Sequence, residues 1–212
     1  MEPIELENYR IDEPIITNLE DKDKTQVTIL PFNSVSETPV ELVELLFLQF
    51  NKEIEKGDTY PQDKQLSKDE FLNYWFHHFV AVMVTGTYNT REEFVTASNG
   101  KDTDYFTDIF LGSFYIKPNY IGRSSHNCNA GFLVNPIKRG MSIGKTLGKN
   151  YIKLAPKLNF KYSVFNLVYE SNVASCKIWD GLGFERIGKI KNAGYLRNQD
   201  KPVDAIMFGY EF

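Results

Sequence analysis

"FLVNPIKRGMSIGKTL" (residues 132–147) changes character halfway along. It opens as an apolar strand, Phe132 to Val134, and turns at Pro136. It then enters a helix through Gly140, Ser142 and Gly144. A helix start offers unpaired backbone N–H groups and the positive end of the helix dipole. Small residues there let a ligand approach the backbone closely. Lys138, Arg139, Lys145 and Lys149 add positive charge nearby. Together these features form an anion cradle suited to a pyrophosphate. The same residues also fit an ordinary strand-to-helix turn with a solvated basic face. The stretch contains neither G-x-x-x-x-G-K-[ST] nor G-x-G-x-x-G, so it is not a P-loop or a dinucleotide fingerprint.

A second junction follows in "FNLVYESNVASCKIWDGLGFERIG" (165–188), where a strand meets a helix at Asn172, a natural N-cap. That helix ends in Gly-Leu-Gly-Phe and runs into another strand. Upstream, "KTQVTILPF", "FVAVMVTG" and "DIFLGSFYIKPNY" read as strands, and "FERIGKI" and "VDAIMFGYEF" close the chain as two more. "TPVELVELLFLQFNKEIEKG" places Val40, Val43, Leu46, Phe47 and Phe50 on one helical face. "SKDEFLNYWFHHF" carries a capping box, Ser67 with Glu70 three later, and Phe71, Tyr74, Trp75 and His78 share its apolar face. Residues 86–108 are polar and read as a loop or hairpin connection, and residues 1–23 as a loosely attached polar arm. The order is β-α-α-β-β-β-α-β-α-β-β, with one domain over 24–212.

The chain has 212 residues, enough for a substantial core. A net charge of −4 argues against a nucleic-acid partner, which calls for a basic field. Cys128 and Cys176 suggest neither a disulfide framework nor a zinc site, and the three His residues lack metal-ligand spacing, so no metal is expected. No apolar run approaches the roughly 20 residues that span a bilayer, and the acidic start is unlike a signal peptide. A soluble cytoplasmic protein is expected, with the nucleus and mitochondrion also open.

The two junctions in this order resemble the GNAT superfamily of acetyl-CoA-dependent N-acetyltransferases. The resemblance implies an α/β fold: a mixed, mostly antiparallel seven-stranded sheet, helices on both faces, and parallel strands at 127–135 and 162–169 that splay apart. It implies acetyl-CoA as co-substrate. Its contacts would come from Phe132, Leu133 and Val134, from Arg139, Gly140, Met141, Ser142, Ile143, Gly144 and Lys145, and from Asn172 and Ser175. Two departures stand out. Ser142 replaces the middle Gly of the usual [RQ]-x-x-G-x-[GA] loop, and Trp179 stands where many members carry a Tyr that protonates the departing thiolate. Indole donates a hydrogen bond but has no comparable acidity.

"TYPQ", "FLNYWFH", "FYIKPNY", "SHNCNAGFLVN", "FNLV", "KIWD" and "PVDAI" are similar to a narrower family, the fungal N-acetyltransferases that detoxify the proline analogue L-azetidine-2-carboxylate. That resemblance implies acetyl transfer to the ring nitrogen of a small imino or amino acid, a homodimer, and Asn129 and Asn166 as substrate-binding and catalytic residues. Asn is uncommon in strands, so a functional demand is a reason for it there. A carboxamide can donate to a carboxylate and accept from an amine N–H without adding net charge. Alternation places Asn127, Asn129, Gly131 and Leu133 on one face, and Val164, Asn166, Val168 and Glu170 on another. Backbone N–H groups near Phe132 and Leu133 could hold the thioester carbonyl and its developing oxyanion.

Glu170 and His126 are the candidate bases, with water as the alternative. His77 and His78 read as helix packing or surface residues, and Cys128 as a small buried hydrophobe. Asn127 has no assigned role. A polyamine, an arylalkylamine or a protein N-terminus remains open as the acceptor, as does a non-catalytic acyl-CoA-binding regulator.

Overall fold

The computed structural model describes residues 8–20, 23–138 and 140–212. The strands are β1 Ile15–Asn18, β2 Gln26–Phe32, β3 Phe79–Thr85, β4 Phe110–Pro118, β5 Asn127–Val134, β6 Tyr162–Tyr169, β7 Glu185–Gly194 and β8 Val203–Glu211. The helices are α1 Val40–Lys56, α2 Lys68–Trp75, α3 Arg91–Ala97, α4 Thr103–Ile109, α5 Ile143–Leu154 and α6 Val173–Gly181. All eight strands form one sheet in the order β1-β2-β3-β4-β5-β6-β8-β7. Every pair is antiparallel except β5 and β6.

The continuous apolar strands lie where both sheet faces are covered. In β3, Phe79, Ala81 and Met83 join one core, which also holds Leu147 and Tyr151 of α5 and Trp179 of α6. Val80, Val82 and Val84 join the other, with Leu46 and Phe50 of α1 and Phe71 and Trp75 of α2. The expected face of α1 holds at Val43, Leu46 and Phe50, but Val40 sits at the helix start and is 74% exposed. Gly57 ends α1 in the left-handed conformation, φ 68°. The capping box at Ser67 and Glu70 is formed. Helix α2 stops at Trp75, so His77 and His78 lie beyond it rather than within a helix.

Two further expectations are corrected. Residues 86–108 contain two helices, α3 and α4. The Thr90 side chain accepts from the Glu93 N–H at 3.0 Å, and Asp102 accepts from the Tyr105 N–H at 3.0 Å. Each helix buries a single aromatic ring, Phe94 or Phe106, in the core beside α1. The segment expected to be a loose arm carries an eighth strand, β1, paired with β2, and buries Ile11 and Leu19.

Candidate active site

Strands β5 and β6 pair only at Asn127 opposite Tyr162 and Cys128 opposite Ser163. Beyond that point they part. Strand β6 also carries an extra residue: Phe165 faces Phe208 of β8, while Val168 faces Ile206. This irregularity corrects the simple alternation expected there. Val168 packs on the same core as Phe165.

The gap leaves backbone groups of β5 without a strand partner. The Asn127 carbonyl accepts from the Asn119 N–H at 2.8 Å, and the Asn135 N–H donates to the Leu111 carbonyl at 2.9 Å. Both therefore turn toward β4. Backbone groups alternate sides along a strand, so Phe132 and Val134 turn theirs toward the gap and Leu133 does not. The Tyr60 hydroxyl reaches in and donates to the Phe132 carbonyl at 2.9 Å. Burial pushes that hydroxyl's pKa well above the ordinary tyrosine value, so it stays a donor. The expectation at Phe132 and Leu133 thus narrows to the Phe132 N–H. Leu133 packs its side chain into the core beneath α1 and α2.

A cavity of about 1210 Å³ opens along this gap. At one end lies the start of α5. Gly140, Ser142, Ile143, Gly144 and Lys145 line it, and among the described residues no side chain caps the helix start. The first-turn N–H groups of a helix start beside Lys138 and Lys145 fit a phosphate-bearing ligand. Met141 instead packs against the core, and Arg139 lies outside the described residues. An acidic residue from the amino-terminal segment engages the same basic group. The Glu20 carboxylate is bonded to Lys145 at 2.8 Å and also to Lys149. The Lys145 and Lys149 contacts hold its pKa at about 2. At the start of α6, Asn172 caps the Ser175 N–H at 3.1 Å, and both residues line the cavity. The Trp179 indole N–H donates to the Ser175 hydroxyl at 2.9 Å.

The other end is built from carboxamides. Asn129 and Asn166 both line the cavity, and a third residue, Asn119, is hydrogen-bonded to both from behind them. The Asn119 Oδ1 accepts from Asn129 Nδ2 at 3.1 Å and from Asn166 Nδ2 at 2.5 Å. Asn119 Nδ2 donates to Asn166 Oδ1 at 3.0 Å. Sequence reasoning missed Asn119, which directly follows Pro118 at the end of the strand read from "DIFLGSFYIKPNY". Tyr74 and Tyr115 wall this end, with their hydroxyls 3.1 Å apart. Lys117 stands opposite Asn129 in the ladder and holds its ammonium 4.1 Å from the Tyr74 ring centre and 4.9 Å from that of Tyr115. Burial lowers its pKa. Gly131 makes room here: a Cβ would lie 2.5 Å from the Tyr115 ring.

The remaining candidates fall elsewhere. Glu170 pairs with Lys189 at 3.0 Å on the surface beside α6, away from the cavity, which removes it as the base. The Asn127 amide donates to the Ser124 carbonyl at 3.0 Å and lies 3.3 Å from His126, so it ties down the preceding turn. Cys128 is buried 3.1 Å from the Tyr151 hydroxyl, and burial raises its pKa to about 12. Among the described residues, no His, Cys, Asp and Glu group could hold a metal, and no helix is long and apolar enough to cross a membrane.

A split parallel pair that leads to an uncapped helix start is built for an acyl thioester on a long phosphate-bearing arm. No family model matches the chain. It is 42% identical over 174 residues to N-acetyltransferase aca1 of Schizosaccharomyces pombe, covering 81% of each chain. It is 37% identical over 203 residues to Protein SPT10 of Saccharomyces cerevisiae, covering 82% of this chain and 32% of that one, so it spans about a third of SPT10. Among solved structures, a GCN5-related N-acetyltransferase from Kribbella flavida superposes with a TM-score of 0.68 at 22% identity, covering 87% and 98% of the two chains. A GNAT superfamily phosphinothricin acetyltransferase from Sinorhizobium meliloti, in complex with acetyl-CoA, gives 0.61 at 14%, covering 87% and 88%. The chain belongs to the GNAT superfamily of N-acetyltransferases.

Proposed function

We propose that the protein transfers the acetyl group of acetyl-CoA to the ring nitrogen of a small imino or amino acid such as L-azetidine-2-carboxylate. The observation that carries this reading is the neutral carboxamide cluster at the acceptor end of the cavity. When bound, acetyl-CoA supplies the acyl group as a thioester. Gly140, Ser142, Gly144 and Lys145 would hold its phosphates, and Asn172 and Ser175 would line its arm. The Phe132 N–H is the donor for the thioester carbonyl.

The acceptor is a zwitterion that must lose a proton before its nitrogen attacks. Asn129 and Asn166 bind and orient it without a negative charge that would hold the amine protonated. Lys117 brings positive charge for its carboxylate. Water takes the ring-nitrogen proton. Ser175 accepts the Trp179 N–H, which leaves its own O–H to donate to the departing sulfur. A polyamine would call for carboxylates where the three amides stand. Detoxification of proline analogues, in a homodimer, is the role that accompanies this chemistry in the resembling family.

The test is Asn166→Ala. Thiol release with azetidine-2-carboxylate is expected to vanish while the dissociation constant for CoA stays within about twofold. Loss of CoA binding instead would remove Asn166 from the acceptor side.

A further inference from the structure

We infer that Asn119 is a positioning residue that sets the two cavity amides for catalysis; the inference rests on the acetyl-transfer reading above. Asn119 follows Pro118 at the end of β4, and its own N–H is tied to the Asn127 carbonyl. Its backbone is therefore anchored to β5. Its side chain meets Asn129, ten residues away, and Asn166, 47 residues away on β6. It bridges the two strands where their backbones no longer pair.

The direction of the bonds decides what each amide offers. Asn119 Oδ1 takes one Nδ2 hydrogen from Asn129 and one from Asn166, and Asn119 Nδ2 occupies Asn166 Oδ1. Asn129 Oδ1 is in none of these bonds, so it is the acceptor left for a ring N–H. The second Nδ2 hydrogens of Asn129 and Asn166 are the donors left for a carboxylate. Without Asn119 each amide can rotate, and the acceptor nitrogen loses its fixed line of approach.

The experiment is a mutant cycle on Asn119→Ala, Asn129→Ala and the double variant, with kcat and both KM values measured by thiol release. Asn119→Ala should lower kcat about tenfold or more and leave the acetyl-CoA KM unchanged. The double variant should lose less than the two single losses combined, because part of what Asn119 does runs through Asn129 and the rest through Asn166. A merely structural Asn119 would lower the melting temperature and leave kcat per folded enzyme intact, and that result would overturn the inference. Additive losses in the double variant would overturn it too. If Asn119→Ala does not fold, Asn119→Ser, which suits a turn but cannot span both amides, takes its place with the same expectation. Wild-type protein that releases no thiol would overturn the acetyl-transfer reading itself. Wild-type turnover matched by Asn119→Ala would overturn this inference alone.

Discussion

Gly131→Ala probes the wall of the acceptor end. The added Cβ would lie 2.5 Å from Tyr115 Cε1, 2.8 Å from Cζ and 2.9 Å from the hydroxyl oxygen. An ordinary contact needs about 3.5 Å, so the ring must retreat by roughly 1 Å. Its way is blocked: Trp75 sits 5.0 Å from the Tyr115 ring centre and is fully buried, and Tyr74 sits 5.4 Å away. Overpacking of this kind costs about 1–3 kcal/mol, and loss of the Tyr115–Tyr74 hydrogen bond adds about 1 kcal/mol. For a domain of this size that lowers Tm by roughly 4–16 °C. The ring would also shift against Asn129, so the imino-acid KM should rise while CoA affinity holds. Thermal melts with and without CoA, paired with initial rates, measure both effects. Removing the ring should relieve the clash, so Gly131→Ala should cost less on a Tyr115→Ala background. A Gly131→Ala protein that melts within about 1 °C of wild type would refute the reasoning.

Three further outcomes follow from named groups. Glu20→Gln frees Lys145 and Lys149, so CoA should bind more tightly at low ionic strength, and titrations at rising salt should show the gain fade. Burial, with His77 nearby, pulls the His78 pKa to about 4. The folded state therefore favours neutral His78, and this stability is present above pH 6.5 and lost as pH falls toward 4. Urea unfolding at pH 5 should show about 2 kcal/mol less stability than at pH 7.5, a difference His78→Gln should largely remove. Lys117→Met should raise the KM for azetidine-2-carboxylate about tenfold relative to its carboxamide, measured as an acid-to-amide ratio in both proteins. An unchanged ratio would take Lys117 out of carboxylate recognition.

The parts of the fold legible in the sequence were those with a period or a cap. Strands β2 to β8 have apolar runs or alternation bounded by turn residues, and α2 has a capping box. Helices α3 and α4 hid because each is two turns long and buries one ring, too little for a periodic signal. Thr90 with Glu93 was the readable sign of α3. Strand β1 is four residues on a sheet edge, held by pairing with β2 rather than by its own pattern. In the site, Asn129 and Asn166 were named through the family resemblance and the α5 entry through its small and basic residues, and the structure brings all three to one cavity. Asn119 and Glu20 were not legible, because their partners are distant in sequence: 47 residues for Asn119 with Asn166, and 125 for Glu20 with Lys145. The bulge in β6 was likewise invisible, since it depends on register with β8.

The central claim is tested most directly by mixing the purified protein with acetyl-CoA and azetidine-2-carboxylate, following free thiol and identifying the product by mass. The account predicts thiol release that requires both substrates, with the acetyl group on the ring nitrogen. No thiol release, while CoA still raises the melting temperature, would contradict it, and so would release with spermidine but with no imino acid.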